Sequence, residues 1–482
     1  MRGENGFMVT ECNAIQMEFQ GFGRRRTVVD FDAGHVTSDA GAVLLREADA
    51  RLGLSARFAQ CFTDYRDARF VEHSVESLVR QRVMGLCLGY EDLNDQDALR
   101  ADPLVALACG KPDVEGKQRA RERDKGRPLA GASTLDRLEI TPEAVDWSDA
   151  KRRYYKIVHE PERIESFFVD VFLQSYTHAP EEIVLDFDPT DITLHGEQEG
   201  RFFHGYYGDY CYLPMYVFCG EHVLAARLRT AKHDASDGAL ELLQQLLGQI
   251  RQAWPHTRIV VRADSGFARE PLMRYCEQTP NLFYVFGLAK NERLKRRVRR
   301  HLHEAKTRFE QSGHDARVYT EFRYRTRDSW SRARRVVAKA QWLAKGPNPR
   351  FVVTNLPGHE LPSQPLYEEV YCARGEMENH IKEQQLDLFA GRASSHFFRA
   401  NQLRLWFSAL AYTLMYALRR IALPKTRLAK ATSHTIRTRL LKLGARVRVS
   451  ARRMLIQIAS ACPAKPDFIN AWKALRAYPL RL

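Results

Sequence analysis

At 482 residues the chain is long enough for two or three domains, on a prior of roughly 150 residues each, and its 44% hydrophobic content allows a sizeable core. Its 74 Lys and Arg against 59 Asp and Glu leave a net charge of +15, which argues against basic partners and for a polyanion, nucleic acid first. No apolar run approaches the roughly 20 residues needed to span a bilayer, the start lacks a basic segment followed by an apolar one, and nine scattered cysteines form no CxxC pair. A membrane span, a secretory leader, a zinc site and a disulfide framework are therefore not signalled, and a reducing cytoplasm is the expected compartment.

From Asp39 to about Gly110 the pattern is helical. SDAGAVLLREADARLGL (38–54) offers Ser38 or Asp39 as a cap, and 73–110 reads as two or three amphipathic helices parted at the Gly89–Asn94 turn. The charged stretch 111–131 reads as an exposed loop. Ser133 to Arg137 can begin another helix, and a further one is expected over Lys151–Ser175. At Pro180 the texture changes. EEIVLDFD (181–188), YLPMYVFC (212–219) and HVLAARLRT (222–230) read as strands, the last two separated at Gly220–Glu221. A helix at 237–254, a strand TRIVVRAD (257–264), a helix at 268–278 and a strand NLFYVFGLAK (281–290) follow. That order is the element order of an α/β, ribonuclease-H-like core: a mixed five-stranded sheet with helices.

Residues 290–311 read as a strongly basic helix, and three strand-like stretches then make 291–364 an inserted, mostly β region. LYEEVYCARGEMENHIKEQQLDLF (366–389) is helical, 401–423 is a more apolar helix, and the Arg- and Lys-rich tail from Pro424 reads as basic helices. The expected organisation is a mostly helical N-terminal region (1–178), the α/β core (179–290 and 365–415), the β-rich insertion (291–364) and a basic helical C-terminal region (416–482).

Phosphodiester chemistry at neutral pH needs an activated nucleophile and stabilised charge on the phosphate, which two divalent ions held by carboxylates supply. Asp188 and Asp264 each end an apolar strand. Asp186, two residues before Asp188, points to the same side. Glu378 sits on a helix with Arg374 four residues before it and Lys382 four after. Taken singly, either aspartate reads equally as a cap or turn former, and Glu378 as a solvated, ion-paired helix face. The constellation is worth more, because a ribonuclease-H-like sheet makes the first and fourth strands neighbours.

At these residues the sequence resembles DDE transposases of the insertion-sequence group labelled IS thirteen-eighty. The resemblance is carried by LDFDPTDITLHGEQEG (185–200), RADSGFARE (262–270), YVFGLAKN (284–291), EMENHIKEQQLDLFAGRASSHFFRANQLRLWFSALAY (376–412) and blocks at 31–47, 64–103 and 133–139. It implies that Asp188 (with Asp186 as the substitute), Asp264 and Glu378 are catalytic and ligate two Mg²⁺ ions, for which Mn²⁺ can substitute. Related transposases carry a Tyr-x2-Arg-x3-Glu-x6-Lys signature. Tyr371, Arg374 and Glu378 match it, but Gln385 holds the lysine position, leaving Lys382 as the replacement. Tyr371, Arg374 and Lys382 are then the expected DNA contacts. The partners implied are double-stranded DNA, as element ends and as target, and a second copy of the chain in the active complex, at the nucleoid rather than a membrane.

Further stretches read less sharply. HGYYGDYCY (204–212) could stack on a splayed base, but packing in a hairpin is the favoured reading. His195 reads as a turn residue, and Arg293–Arg300 and the basic tail 426–453 as phosphate contacts or solvated faces. Rival readings are a ribonuclease-H-like nuclease that cuts without joining, a transposase-derived DNA-binding protein without catalysis, and a basic structural or RNA-binding protein.

Overall fold

The computed structural model describes residues 17–145, 148 and 154–479. The start of the chain, read above for a leader, lies outside the described residues, as do the first residues of the helix expected from Lys151. Among those described, Ile157–His159 is a short strand instead, and the helix runs only Pro161–Leu173.

Nine strands build the main sheet: β1 (Glu182–Pro189), β2 (Met215–Cys219), β3 (His222–Arg227), β4 (Arg258–Ala263), β5 (Leu282–Leu288), β6 (Ala316–Tyr324), β7 (Arg334–Leu343), β8 (Gly346–Pro347) and β9 (Arg350–Thr354). Their order is β3-β2-β1-β4-β5-β9-β7-β6, with β8 paired to β7. β4 runs parallel to both β1 and β5, and the remaining pairs are antiparallel. The helices Ala239–Ala253 and Glu270–Gln278 precede β4 and β5 and supply the crossovers that parallel pairing requires.

The β-branched, alternating composition of β1 and β4 gives the sheet two apolar faces. Ile183, Leu185 and Phe187 of β1 join Ile259, Val261 and Ala263 of β4 against Leu242, Leu246 and Ile250 of the first crossover helix. Val260, Val285, Val337 and Val352 face the other way and pack on Leu366 and Tyr367. Period-two alternation puts Asp186 and Asp188 on that second side.

Five strands is too small a count. The strands of the insertion continue the sheet, because β9 pairs with β5 and covers an edge that would otherwise present unpaired backbone groups. On that second side, against Tyr216 and Phe218 of β2, the 25-residue helix Phe398–Ala422 is buried along most of its length. It packs with helices Ala42–Leu52, Leu54–Ala59 and Val75–Leu88 in the largest apolar cluster, which explains why its stretch Leu405–Leu418 carries no charged residue. Neither expected cap opens the first of these helices. Gly41 precedes it without a side-chain bond, while buried Asp39 accepts from Tyr90 Oη at 2.7 Å and pairs with Lys442 at 2.8 Å.

The C-terminal tail also departs from expectation. Ala445–Ser450 and Arg453–Ile458 form an antiparallel ribbon extended by the N-terminal strand His35–Thr37, and only Lys465–Ala477 is a long helix there. Among the described residues no helix is long and apolar enough to cross a membrane.

Candidate active site

Asp188 lies one residue from the end of β1, paired across to Tyr216 of β2. The parallel register sets Phe187 beside Ala263, so Asp264, the next residue after β4, stands at the same end of the sheet as Asp188. There the chain turns: Asp264 Oδ1 accepts from Gly266 N at 2.8 Å and caps the short turn Ser265–Phe267.

The third acid comes from a continuous helical run over Ser363–Asp387, in which α-helical turns alternate with wider π turns at Leu366–Tyr371 and Glu383–Asp387. Such turns are rare and recur at functional sites. Leu366 and Tyr367 anchor the run on the sheet, whereas Met377 and Ile381 pack into the core around Phe398–Ala422. Glu378 lies between these anchors, its side chain 47% exposed.

One guanidinium joins the acids. Arg374 Nη1 donates to Asp188 Oδ1 at 3.2 Å and its Nη2 to Glu378 Oε1 at 3.3 Å. Burial pushes the Asp188 carboxyl up to about 7. Arg374 opposes that shift, and the negative charges of Asp264, Glu378 and Asp186 add to it. Repulsion among these acids thus reaches Asp188, but Arg374 occupies the space between two of them. Among the described residues no three His, Cys, Asp or Glu side chains stand close enough to form a ready ion cage.

Asp186 is differently engaged. Arg262, its partner in the parallel register, binds it through Nε at 2.5 Å and Nη2 at 2.6 Å, and also donates to the Val370 carbonyl. This buried pair ties β1 and β4 to the helical run. Asp186 thus braces the strands beneath the site, each of its oxygens accepting from Arg262.

A family model described as transposase DDE domain group 1 matches residues 19–480. The chain belongs to the DDE transposase family. No curated protein matches it.

Two further residues of this DDE transposase matter at the site: Gly287, which was not singled out in the sequence, and Gln385, which was noted there only as the departure from the signature lysine. A Cβ at Gly287 of β5 would lie 2.6 Å from Tyr371 Oη and 2.9 Å from Ser265 N. Glycine there lets the Tyr371 ring close over the turn that carries Asp264; a lone glycine inside the apolar strand YVFGL was the available signal. Gln385, at the lysine position of the signature, turns inward. Its Nε2 donates to Thr190 Oγ1 at 3.2 Å and to the Asp191 carbonyl at 3.0 Å, holding the segment that leaves Asp188. Lys382 is exposed on the last turn before it.

The packing reading of 204–212 holds for Cys211 and Tyr212, both fully buried, and fails for Tyr206 (86% exposed), Tyr207 and Tyr210. His195 is exposed just after the short strand Ile192–Thr193. Of the basic runs, Arg293, Arg296, Arg297, Arg299 and Arg300 are exposed, as are Arg446, Arg448 and Arg453 on the C-terminal ribbon. Arg437 is structural: it is buried and donates to the carbonyls of Cys87, Leu86 and Asp387.

Proposed function

We propose that this family member is a transposase of the IS thirteen-eighty group that binds the ends of an insertion sequence, cleaves them and joins them to target DNA. Asp188, Asp264 and Glu378 are the proposed catalytic residues, on a ribonuclease-H-like core. Its support is the strand order β3-β2-β1-β4-β5, with acids ending two adjacent parallel strands. The single observation that carries the reading is the convergence of Asp188 and Glu378, 190 positions apart in the sequence, on the Arg374 guanidinium beside Asp264.

The donor set fits a hard divalent cation: all oxygen, with no His or Cys, and with Asp188 destabilised by burial and like charge. The fit asks Arg374 to leave its present position. Two Mg²⁺ ions, or Mn²⁺ in their place, would supply Lewis acidity at the phosphate and lower the pKa of the attacking hydroxyl. Asp188, Asp264 and Glu378 would hold them. Arg374, released from the acids, would bond two phosphate oxygens of the bound strand, which a planar guanidinium does well. Tyr371 would fix the Asp264 turn from above, and Lys382 would add positive charge one turn from Glu378. Cleavage and joining are both in-line phosphoryl transfers, so one site can serve both.

The exposed arginines of 293–300 and of the C-terminal ribbon are proposed backbone contacts for duplex DNA. The N-terminal region 1–178 is the proposed end-binding part, and a homodimer at the nucleoid the working form. In a Mg²⁺-dependent excision assay the wild type should release the element and Asp264→Ala should not. Equal excision by both overturns the assignment. Cut ends that are never joined to target would leave the rival nuclease reading.

A further inference from the structure

Between β1 and β2 the chain builds a small three-stranded sheet from Ile192–Thr193, Phe202–His204 and Asp209–Tyr212. It begins four residues after Asp188. Its turn, Gly205–Gly208, projects freely: a Cβ at either glycine would meet nothing within 4 Å. Five aromatic rings are exposed on this hairpin: Phe202 42%, Phe203 49%, Tyr206 86%, Tyr207 36% and Tyr210 45%. Soluble proteins rarely leave so much ring surface clustered in water on one small hairpin without a use for it. The rings are arranged edge to face, Phe203 with Tyr210 at 5.6 Å and Tyr206 with Tyr207 at 5.0 Å, and Arg201 lies 4.8 Å from the Tyr210 ring centroid.

Proximity to the acids is electrostatic as well as sequential. After burial, the charges of Asp191, Tyr206 and Asp188 are what raise the Tyr207 phenol.

We propose that this hairpin is a stacking platform for an unpaired nucleobase of the DNA strand that leaves the proposed cleavage site. The inference rests on the reading of Asp188 and Asp264 as that site. Base faces are hidden within a duplex and become available only where a strand is frayed or a base turned out. Aromatic rings interleaved with a guanidinium accept such a face whatever the base, which suits strands of differing sequence. The chain's surplus positive charge favours this occupant over an acidic or neutral protein surface only together with the hairpin's position beside a phosphodiester site.

The test uses the full chain in chelator, so that nothing is cut. The probe is a short duplex with an unpaired oligothymidylate overhang carrying one fluorescent purine analogue, compared with the blunt duplex. Wild type is expected to quench the analogue and to bind the overhang duplex roughly fivefold to a hundredfold more tightly than the blunt one, the range of a lost base–aromatic stack. The double substitution Tyr206→Ala, Phe203→Ala should abolish the quench and the preference while leaving blunt-duplex affinity and circular dichroism unchanged. Tyr206→Phe should keep both, since the ring and not the hydroxyl does the stacking. Equal wild-type affinity for the two duplexes overturns the proposal. So does a double variant that keeps the preference, or one that keeps it while passing from dimer to monomer in sedimentation, which would make the hairpin a contact between copies. Asp264→Ala reports separately on cleavage, because stacking in chelator needs no acid: quenching by that variant is expected however its excision assay falls.

Discussion

The Asp186–Arg262 pair sets Asp186 apart from the acids proposed as catalytic. Asp186 is 4% exposed and Arg262 7%, and two bonds of 2.5 and 2.6 Å join them. Arg262→Met strands a buried carboxylate and takes a donor from the Val370 carbonyl, so the cost should be about 3–5 kcal/mol, that of breaking a buried pair from one side. Against a domain stability of about 5–15 kcal/mol, that is a large lowering of the urea unfolding midpoint. Asp186→Leu combined with Arg262→Met removes both charges together, and should recover most of the midpoint because no buried charge is left unpaired. The same double variant should still excise element DNA with Mg²⁺, since Asp186 is a strut. Two results would refute this reasoning. One is a double variant no more stable than Arg262→Met. The other is a stable double variant without excision, which would put Asp186 in the chemistry.

Gly287→Ala should drive Tyr371 off the Asp264 turn, because the new Cβ would sit 2.9 Å from a backbone nitrogen that cannot yield. Overpacking of this kind costs about 1–3 kcal/mol, and the cleavage rate should fall in proportion; an unchanged rate would contradict the close fit of Tyr371 on this turn. Gln385→Ala removes two hydrogen bonds on Thr190 and Asp191, worth about 1 kcal/mol each, and should lower cleavage without changing DNA affinity; an affinity loss instead would mean Gln385 contacts DNA. His159 is buried against Trp406 and Phe62, and burial pulls its imidazole down to about 3. Folded His159 stays neutral where an unfolded imidazole, with pKa about 6.5, is charged. Its contribution is therefore complete above pH 6.5 and is lost by about 1.4 kcal/mol per pH unit on going down toward pH 3. Thermal melts of His159→Phe should show a shallower acid decline than wild type, and parallel curves would contradict this.

The strands β1 to β5 and their helices were legible because apolar, β-branched runs bounded by Pro and Gly leave little choice of element, and chain order then limits which strands can meet. Asp188 and Asp264 could be paired for that reason. The role of Asp186 could not be, because it depends on a parallel register that sets Arg262 opposite it, and register is a tertiary fact. In the tail, ARVRVS alternates with the period of a strand, but its arginines suggested a solvated helix. Only the partner strands Arg453–Ile458 and His35–Thr37 make it a ribbon. The hairpin aromatics were read as packed because sequence carries no information on whether a hairpin lies against the body or projects from it.

Asp188, Asp264 and Glu378 are proposed to act together on divalent cations. Manganese binding, counted by electron paramagnetic resonance on the full chain with end DNA present, tests it most directly. The wild type should bind Mn²⁺ at the site, and Asp188→Asn, Asp264→Asn and Glu378→Gln should each lose that binding while remaining folded. Three folded variants that bind Mn²⁺ as the wild type does would contradict the account.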